Sequence, residues 1–300
     1  MPIDKNSSIN PRPAATVILV RDHERGLQIY LLRRSRGSKF FPGYYVFPGG
    51  AVDMEDKDPN FWMNYADMDM EEISRNFGGD ISGEEALGYC IAGIRETFEE
   101  AGVLIATARD KLMPENACEN RLADGLLKGW LRDLVISEGW TLNLSSLSRW
   151  AHWITPKRMK YHFDTRFFIA ILPSEQSCMP DQKEMEGGIW VSPEEALALN
   201  LKGEVPLSPP TVVTMHELLS YSDTESLKTQ SETRPWGKAR WPCLISSQHG
   251  PVILQPWDPQ IHEENVDIDT KGFEDLVLPP GEPFSRLYLH EGIWKPIRIP

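Results

Sequence analysis

Residues 95–103 read Arg-Glu-Thr-Phe-Glu-Glu-Ala-Gly-Val, and this stretch decides the fold that the chain is expected to adopt. It closes the longer segment 82–102. Ser82 and Glu85 open that segment with the S-x-x-E spacing of a capping box, and Gly102 stands where a left-handed glycine ends a helix. The spacing therefore predicts one helix over 82–102.

The predicted helix has an apolar face and an acidic face, since each residue advances about 100° around the axis. The apolar face, expected to pack against a sheet, consists of Leu87, Cys90, Ile91, Ile94, Phe98 and Ala101. Glu96, Glu99 and Glu100 fall on the opposite side at the spacing i, i+3, i+4, so their side chains converge. Like charges at this spacing destabilise a helix, whereas hard cations prefer carboxylate oxygens. The acidic face is either a metal site or simply solvated.

Features next to the acidic turn favour the metal site. Arg95 directly precedes Glu96, and a guanidinium can hold a carboxylate in one rotamer. Upstream, Phe47-Pro48-Gly49-Gly50 predicts a tight glycine turn, where backbone can approach a metal or a phosphate closely. The predicted metal ligands are Glu96, Glu99, Glu100 and the Gly49 carbonyl.

These residues resemble the Nudix box, G-x5-E-x7-R-E-U-x-E-E-x-G-U, in which U is a bulky apolar residue. Gly50 matches its first glycine and residues 95–103 match its second half, with Thr97 at a U position. The separation between the two halves is far longer than the box allows, which predicts an insertion at about 54–81. Counted back from the arginine, the box glutamate falls at Leu87. Glu85 is the nearest carboxylate, and its capping role leaves it out of the predicted metal site.

The stretch before the glycine turn is basic. It carries Arg34-Ser35, Lys39, Gly43 and Phe47-Pro48-Gly49-Gly50, which resembles the coenzyme A signature of some Nudix hydrolases, with Lys39 for its second arginine. Coenzyme A has a 3′-phosphate besides its diphosphate, so extra cations near the metal site make sense. A solvated loop that balances surface charge is the alternative. The predicted substrate-binding residues are Arg34, Ser35, Lys39, Gly49 and Gly50.

The long insertion and the stretches 150–153 and 163–168 are similar to the Nudix motif 19 group, the peroxisomal coenzyme A diphosphatases of animals and their bacterial relatives. The resemblance implies hydrolysis of a phosphoanhydride bond in a nucleoside-diphosphate-linked substrate by a metal-activated water. Coenzyme A or acyl-coenzyme A would give 3′,5′-ADP and (acyl-)4′-phosphopantetheine, with Mg²⁺ or Mn²⁺ as cofactor.

The same resemblance implies the catalytic residues Arg95, Glu96, Glu99 and Glu100. A loop glutamate would supply the general base, and Glu184 is the candidate with Glu186 as its competitor. Two other functions stay open at this point. One is a hydrolase for ADP-ribose, NADH or a dinucleoside polyphosphate, and the other is a non-catalytic nucleotide-sensing Nudix module.

The order of elements predicts an α/β protein, a Nudix-type α/β/α sandwich with a mixed sheet. β-branched and aromatic runs predict strands over 14–20, 27–32, 44–47, 150–154, 163–172 and 188–191. Helices are expected over 112–137, from Ser192-Pro193 onward, and over about 211–221, while 54–80 is expected to be irregular but packed. The predicted Nudix domain spans 12–210, and the predicted C-terminal extension, 211–300, carries a few short strands and packs on it.

The composition limits the partners. A net charge of −13 argues against broad binding to nucleic acid or anionic membranes, and against RNA decapping, which needs a basic surface. The four cysteines form no CxxC pair, which indicates reduced thiols and a cytoplasmic location. No apolar run is long enough for a transmembrane helix, and the N-terminus has no apolar core of a secretory signal. The expected partner is a small nucleotide substrate, with no nucleic acid and no membrane.

Overall fold

The computed structural model of the chain describes residues 10–108, 121–122, 126–247, 249–263, 268 and 270–299. Within these ranges, seven strands form a mixed sheet: β1 (Arg12–His23), β2 (Gly26–Arg34), β3 (Tyr45–Val46), β4 (Gly49–Ala51), β7 (Ser148–Ile154), β8 (Phe163–Ile171) and β9 (Met185–Val191). The main strand order is β3-β2-β1-β8-β7, with β4 also on β1 and β9 on β2. Two short strands, β5 (Ala106–Ala108) and β6 (Trp140–Leu142), pair with each other apart from it.

The predicted strands are all present. β1 and β2 form the expected antiparallel hairpin, and β7 and β8 are antiparallel neighbours. The pairing of β1 with β8 is parallel, which makes the sheet mixed. Because β1 lies in the middle, it is buried on both faces: Ala15, Val17 and Leu19 face one core, whereas Ile18 and Val20 face the other.

Seven α-helices of the described residues cover the sheet: α1 (Pro59–Trp62), α2 (Met70–Phe77), α3 (Gly83–Ala101), α4 (Trp130–Glu138), α5 (Pro193–Leu201), α6 (Pro209–Leu218) and α7 (Thr224–Glu232). The core on one face contains α2 and α3, and the core on the other contains α5 and α6. This is the predicted α/β class with a mixed sheet between helical layers. Part of the helical pattern expected over 112–137 lies outside the described residues. None of the helices described is both long and apolar enough to cross a membrane.

The central helix α3 follows the sequence prediction closely. Ser82 and Glu85 form the capping box, and Gly102 ends the helix with a φ of 73°. The six residues of the predicted apolar face are all buried in one core. The opposite face is only partly open to water: Glu100 is 5% exposed, whereas the Glu99 side chain is 30% exposed.

The insertion packs against α3 and contacts its acidic end through Asp56 and Arg95. The expectation that 54–80 is irregular was wrong, because this stretch contains a 3₁₀ turn (Glu55–Lys57) followed by α1 and α2. α2 has a capping box of its own. The Asp69 carboxylate accepts a hydrogen bond from the Glu72 N–H at 2.8 Å, and the Glu72 carboxylate accepts one from the Asp69 N–H at 2.9 Å. Its apolar side chains are buried in the same core as α3. The many acidic residues of this stretch include caps, which is why composition alone made it look irregular.

The C-terminal residues form a four-stranded antiparallel sheet of β10 (Cys243–Ile245), β11 (Val252–Leu254), β12 (Arg286–His290) and β13 (Ile293–Ile297). Ile253, Leu287 and Trp294 share a core with α5 and α6. Upstream of β10, the Arg240 N–H donates to the His152 carbonyl at 2.8 Å, and the Arg240 carbonyl accepts from Ile154 at 2.9 Å. The C-terminal residues therefore pack on one face of the central sheet and bond to its β7 edge.

Candidate active site

The glycine turn at 47–50 lies against the acidic end of α3. β4 pairs with β1 so closely that a side chain on Gly49 would overlap the β1 backbone. A Cβ on Gly50 would overlap the Glu96 carboxylate, and the Gly49 N–H donates a 2.8 Å hydrogen bond to Glu100 Oε2. Only glycine permits so close an approach, so the Gly-Gly pair is what brings this turn onto the two glutamates.

Arg95 is the cation at the centre of the carboxylates. Its Nη1 donates to Glu96 Oε1 at 2.8 Å and to Glu99 Oε2 at 3.0 Å, while Nη2 donates to the Ala51 carbonyl at 2.9 Å. Nε and Nη2 grip both oxygens of Asp56 at 3.1 and 2.9 Å. Burial disfavours the charged guanidinium, but these carboxylates outweigh it and raise the pKa of Arg95 above its ordinary value. Arg95 therefore stays charged and ties the glycine turn to α3.

Asp56 was not among the predicted site residues. It lies in the 3₁₀ turn, and its carboxylate is 2% exposed. It is the sixth residue after Gly50, the spacing that the box sets between its first glycine and its glutamate, so aspartate stands where the box has glutamate. Counting back from Arg95 gave Leu87 instead, which is buried in the core, because the insertion separates the two halves of the box. Counting forward from the glycine would have found Asp56.

Glu99 is placed differently from the other two glutamates of α3. Its Oε1 accepts a 2.6 Å hydrogen bond from Trp130 Nε1, at the start of α4, and its Oε2 bonds to Arg95. Its side chain is 30% exposed and still lines the cavity described below. In the described residues, no three His, Cys, Asp or Glu side chains converge closely enough to enclose an ion. The assignment of all three glutamates as metal ligands stays a prediction.

The acidic turn carries more negative charge than Arg95 can balance. Burial raises the pKa of Glu96 to about 7; Arg95 opposes that rise, and the neighbouring Glu99 adds to it. Burial also raises the pKa of Glu100 well above its ordinary value, and the Glu96 carboxylate adds to the rise. Asp56, Glu96 and Glu99 therefore share the Arg95 guanidinium, and the buried Glu100 lies beside Glu96 without a bond to Arg95.

A hard divalent cation fits this donor set. All of the side-chain groups are oxygen donors, and Glu96 and Glu100 line a cavity together with the glycine turn. Mg²⁺ usually takes one or two carboxylates and completes its shell with water and substrate phosphates, so a cage of three side chains is not required. A cation at this turn would also offset the excess negative charge.

One cavity opens at this turn, and a second cavity lies next to the first. The first, of about 550 Å³, is lined by Gly49, Gly50 and the acidic side chains, and it runs on toward the C-terminal sheet. The second, of about 500 Å³, is basic and aromatic. We call it the basic cavity, and it is lined by Arg34, Ser35, Ser38, Lys39, Phe40, Tyr161, Phe163, Lys183 and Glu184. Arg34, Phe40, Phe163 and Glu184 border both cavities. The predicted substrate-binding residues thus line this pair of cavities.

The structure separates the two candidates for the general base. Glu184 borders both cavities, and its charge acts on Glu100. The Asp181 carboxylate accepts from the Glu184 N–H at 3.1 Å and forms a turn that presents this residue. The Ser35 N–H donates to the Glu184 carbonyl at 2.8 Å. Glu186 instead accepts from the Arg36 N–H at 3.0 Å on the exposed surface, and it borders neither cavity.

His152 has a structural environment. It is 3% exposed, and its Nε2 lies 2.6 Å from Asp164 Oδ1. Arg166 lies on the neighbouring strand and pairs with Asp80 at 2.8 Å. His152 is not in the lining of either cavity. His152 is therefore a hydrogen-bonded structural histidine.

Comparisons with known proteins identify the family that this chain resembles. A family model described as "NUDT19 Nudix domain" matches residues 69–218, half of the chain. The human protein named acyl-coenzyme A diphosphatase NUDT19 is 27% identical and matches over 94% of this chain and 91% of its own length. The protein of the same name from Xenopus laevis is 26% identical and matches over 88% of this chain and 81% of its own length.

A solved structure shares the fold. The NUDIX hydrolase from Alicyclobacillus acidocaldarius superposes with a TM-score of 0.61 at 22% sequence identity, covering 76% of this chain and 100% of that one. This likeness supports the arrangement of the mixed sheet and its helices. It does not bear on the substrate.

Proposed function

The chain belongs to the NUDT19 Nudix hydrolase family, and we propose that this hydrolase cleaves the diphosphate of coenzyme A or acyl-coenzyme A into 3′,5′-ADP and (acyl-)4′-phosphopantetheine. Enzymes of this family use divalent metal ions and act on small nucleotide-linked substrates. The finer proposal for this chain is a Mg²⁺ or Mn²⁺ enzyme for coenzyme A. Relatives that match most of its length carry the name acyl-coenzyme A diphosphatase, which supports that choice.

The observation that carries the proposal is the basic cavity beside the acidic turn. A diphosphate alone has its charge balanced at the cation site, so further cations imply a further phosphate. Arg34 and Lys39 supply such cations, and Phe40 and Tyr161 supply aromatic surface. A 3′-phosphorylated adenosine fits this combination, because its phosphate needs cations and its base stacks on aromatic rings.

Glu96, Glu100 and the Gly49 carbonyl would hold the metal ion, and Glu99, which bonds to Arg95 and Trp130, is the further proposed ligand. When bound, the ion supplies charge neutralisation at the diphosphate and a lowered pKa for coordinated water. Arg95 fixes the Glu96 carboxylate in one rotamer, and Asp56 fixes Arg95 in turn. These two residues act as positioning residues, because neither has to touch the substrate.

Glu184 is the proposed general base. A water oxygen forms a bond to one phosphorus, and the bond from that phosphorus to the bridging oxygen breaks, so the bridging oxygen leaves with its electron pair on the other phosphate. One water proton passes to the Glu184 carboxylate, and the other stays on the phosphate that is formed. The place of Glu184 between the two cavities supports this role, since the scissile diphosphate has to lie between its two substituents.

We also propose that the chain divides into a catalytic domain over 12–210 and an extension over 211–300. The proposed location of the protein is the cytoplasm.

A substrate panel tests the proposal. Coenzyme A, an acyl-coenzyme A, ADP-ribose and NADH are each incubated with Mg²⁺ or Mn²⁺, and 3′,5′-ADP is measured by chromatography. We expect 3′,5′-ADP from coenzyme A or its thioester. Good turnover of ADP-ribose without any 3′,5′-ADP would overturn the proposed substrate and favour the alternative hydrolase.

The role of the basic cavity has its own test. Dephospho-coenzyme A lacks only the 3′-phosphate, so Lys39→Gln should raise KM for coenzyme A by about tenfold and leave KM for dephospho-coenzyme A nearly unchanged. Lys202→Gln, at an exposed position beyond α5, is the matched control. Equal effects of Lys39→Gln on the KM values for both substrates would show that this cavity does not bind the 3′-phosphate.

A further inference from the structure

The larger cavity has two unlike ends. Near the glycine turn it is lined by carboxylates and by Arg95, whereas the rest of its lining is mostly apolar and includes the uncharged polar side chains of Ser208, Thr211 and Gln255. We call the mostly apolar end the apolar chamber, and its apolar walls are Phe47, Trp153, Met159, Phe167, Pro242 and Ile253. Cavities of roughly 300–1,000 Å³ hold most small-molecule ligands, and about 550 Å³ falls within that range.

The chamber lies between the central sheet and the C-terminal sheet. Trp153 on β7 and Phe167 on β8 line it from the central sheet, and Phe167 meets the Phe47 ring edge-on with centroids 6.4 Å apart. Ile253 on β11 lines it from the opposite side, and Pro242 immediately precedes β10. The chamber is therefore closed by residues that follow the Nudix-model match, which ends at residue 218.

The position of Pro242 is fixed by backbone bonds. Arg240 bonds to His152 and Ile154 of β7 through its own N–H and carbonyl, at 2.8 and 2.9 Å. Ile253 is 3% exposed and shares a core with Leu287. Because both residues are held in this way, the chamber wall is a built part of the fold.

The apolar walls of the chamber indicate which part of the substrate binds there. The proposed substrate has a nucleotide on one side of its diphosphate and an acylated pantetheine arm on the other. The basic cavity suits the nucleotide, and the chamber is continuous with the acidic turn within one cavity. None of the six walls of the chamber carries a charge, so a phosphate gains nothing there. An alkyl chain gains about fourfold in affinity for each methylene that it buries.

We propose that the apolar chamber binds the acyl chain of an acyl-coenzyme A, and that the C-terminal residues Pro242 and Ile253 set the chain length that is accepted. The inference rests on the proposed function. It assigns to the C-terminal sheet a role in specificity, separate from the chemistry at the glycine turn.

The test compares substrates that differ only in the acyl chain. The quantity measured is the ratio of kcat/KM for octanoyl-coenzyme A to kcat/KM for free coenzyme A. Ile253→Trp fills the chamber and should lower this ratio at least about tenfold, because two or more methylenes lose their contacts. Ile253→Ala enlarges the chamber and should move the preference toward longer chains. Ile299→Trp, at an exposed isoleucine near the C-terminus, should leave the ratio unchanged.

A second variant keeps the test decisive if substitution of the buried Ile253 prevents folding. Met159 is partly exposed in the turn between β7 and β8, so Met159→Trp fills the chamber from the other side without disturbing the C-terminal sheet. It should lower the same ratio. Ratios unchanged in both tryptophan variants would overturn the inference. Failure of the proposed function would appear separately, as the absence of 3′,5′-ADP from every coenzyme A substrate with the unmodified enzyme.

Discussion

Two buried acidic regions of the molecule resemble each other in composition and differ in charge balance. In the C-terminal part, Asp258 accepts from Arg286 Nε at 2.8 Å, from Ser285 Oγ at 2.6 Å and from the Gln260 N–H at 2.9 Å. Burial works to raise the pKa of Asp258, but these partners outweigh it and hold the pKa below its ordinary value. At the glycine turn, several carboxylates share Arg95, and the pKa of Glu96 rises to about 7 instead.

The difference separates a structural site from a functional one. One carboxylate with one guanidinium and further donors is a complete structural unit, because each polar group has a partner. Three carboxylates on one guanidinium, with Glu100 beside them, are not complete, because their buried charge has to be offset by proton uptake or by a further cation. The imbalance at the glycine turn therefore marks the place where a ligand is expected to complete the charge balance.

Removing a carboxylate from the glycine turn is expected to have the largest effect. Glu96→Gln should lower kcat/KM on coenzyme A more than about 100-fold, because loss of outer partners of a metal site already costs roughly 10–100-fold. The thermal unfolding temperature of the metal-free protein should stay the same or rise, since one of the crowded charges is gone. Activity is measured as 3′,5′-ADP release, and stability by thermal unfolding in a chelator.

Glu85→Gln is the matched control for Glu96→Gln. It lies on the same helix and serves the capping box, away from the acidic turn. It should cost about 1 kcal/mol of stability or less and leave kcat/KM nearly unchanged. If Glu96→Gln retained full activity, the glycine turn would not be the catalytic site.

Removing the carboxylate of Asp258, which is paired with Arg286, should affect stability alone. Asp258→Asn removes the charge opposite Arg286, whose side chain is 4% exposed, and leaves it buried without a counter-ion. The free energy of unfolding should fall by about 3 kcal/mol, measured by urea unfolding. The folded fraction should keep kcat/KM on free coenzyme A within about twofold. A large loss of kcat/KM with unchanged stability would contradict the structural role given to Asp258.

Asp56 should give an intermediate effect. Asp56→Asn weakens the two-pronged hold on Arg95 and should lower activity roughly 10–100-fold, mainly by raising the Mg²⁺ concentration needed for half-maximal activity. Asp56→Glu places at this position the residue that the Nudix box has there, and it should restore most of that loss. Glu71→Gln, at an exposed position in the first turn of α2, is a control within the insertion with little expected effect. A loss in Asp56→Asn that no Mg²⁺ concentration recovers would argue against a positioning role.

The local part of this site could be predicted from the sequence, because its signals are local. The capping box, the left-handed Gly102 and the apolar spacing together specify α3, and the Gly-Gly pair specifies the turn. The approach of Gly49 and Gly50 to Glu100 and Glu96 follows from those two elements once β4 pairs with β1.

The remaining parts depend on contacts between distant segments. Trp130 reaches Glu99 from a helix that follows the insertion, and no spacing rule connects the two. Asp56 was missed because the insertion breaks the count from Arg95. The C-terminal strands were expected only as short strands, since the pairing of β11 with β12 joins segments far apart in sequence. Ile253 could not be placed in a cavity before that pairing was known.

The pH dependence of stability should have opposite signs at the two regions. The pKa of Glu96 is raised from 4.5 to about 7 in the folded protein, so the folded state binds a proton that the unfolded state releases. Its contribution therefore favours folding below pH 4.5 and is lost as the pH rises toward 7. The lowered pKa of Asp258 acts the other way, since its contribution is present above 3.8 and is lost as the pH falls through the folded-state value.

Thermal unfolding in a chelator between pH 4.5 and 7 resolves these contributions when variants are compared. The difference in unfolding temperature between Glu96→Gln and the unmodified protein should grow by about 2 °C or more over this range, because only the unmodified protein has to bury that charge. Asp258→Asn should leave this slope unchanged and flatten the curve only below pH 4. Added Mg²⁺ should abolish the growing difference, because a bound cation favours the charged carboxylate. A difference that is constant with pH would show that Glu96 keeps its ordinary pKa, and the contrast between the two acidic regions would then not be one of charge balance.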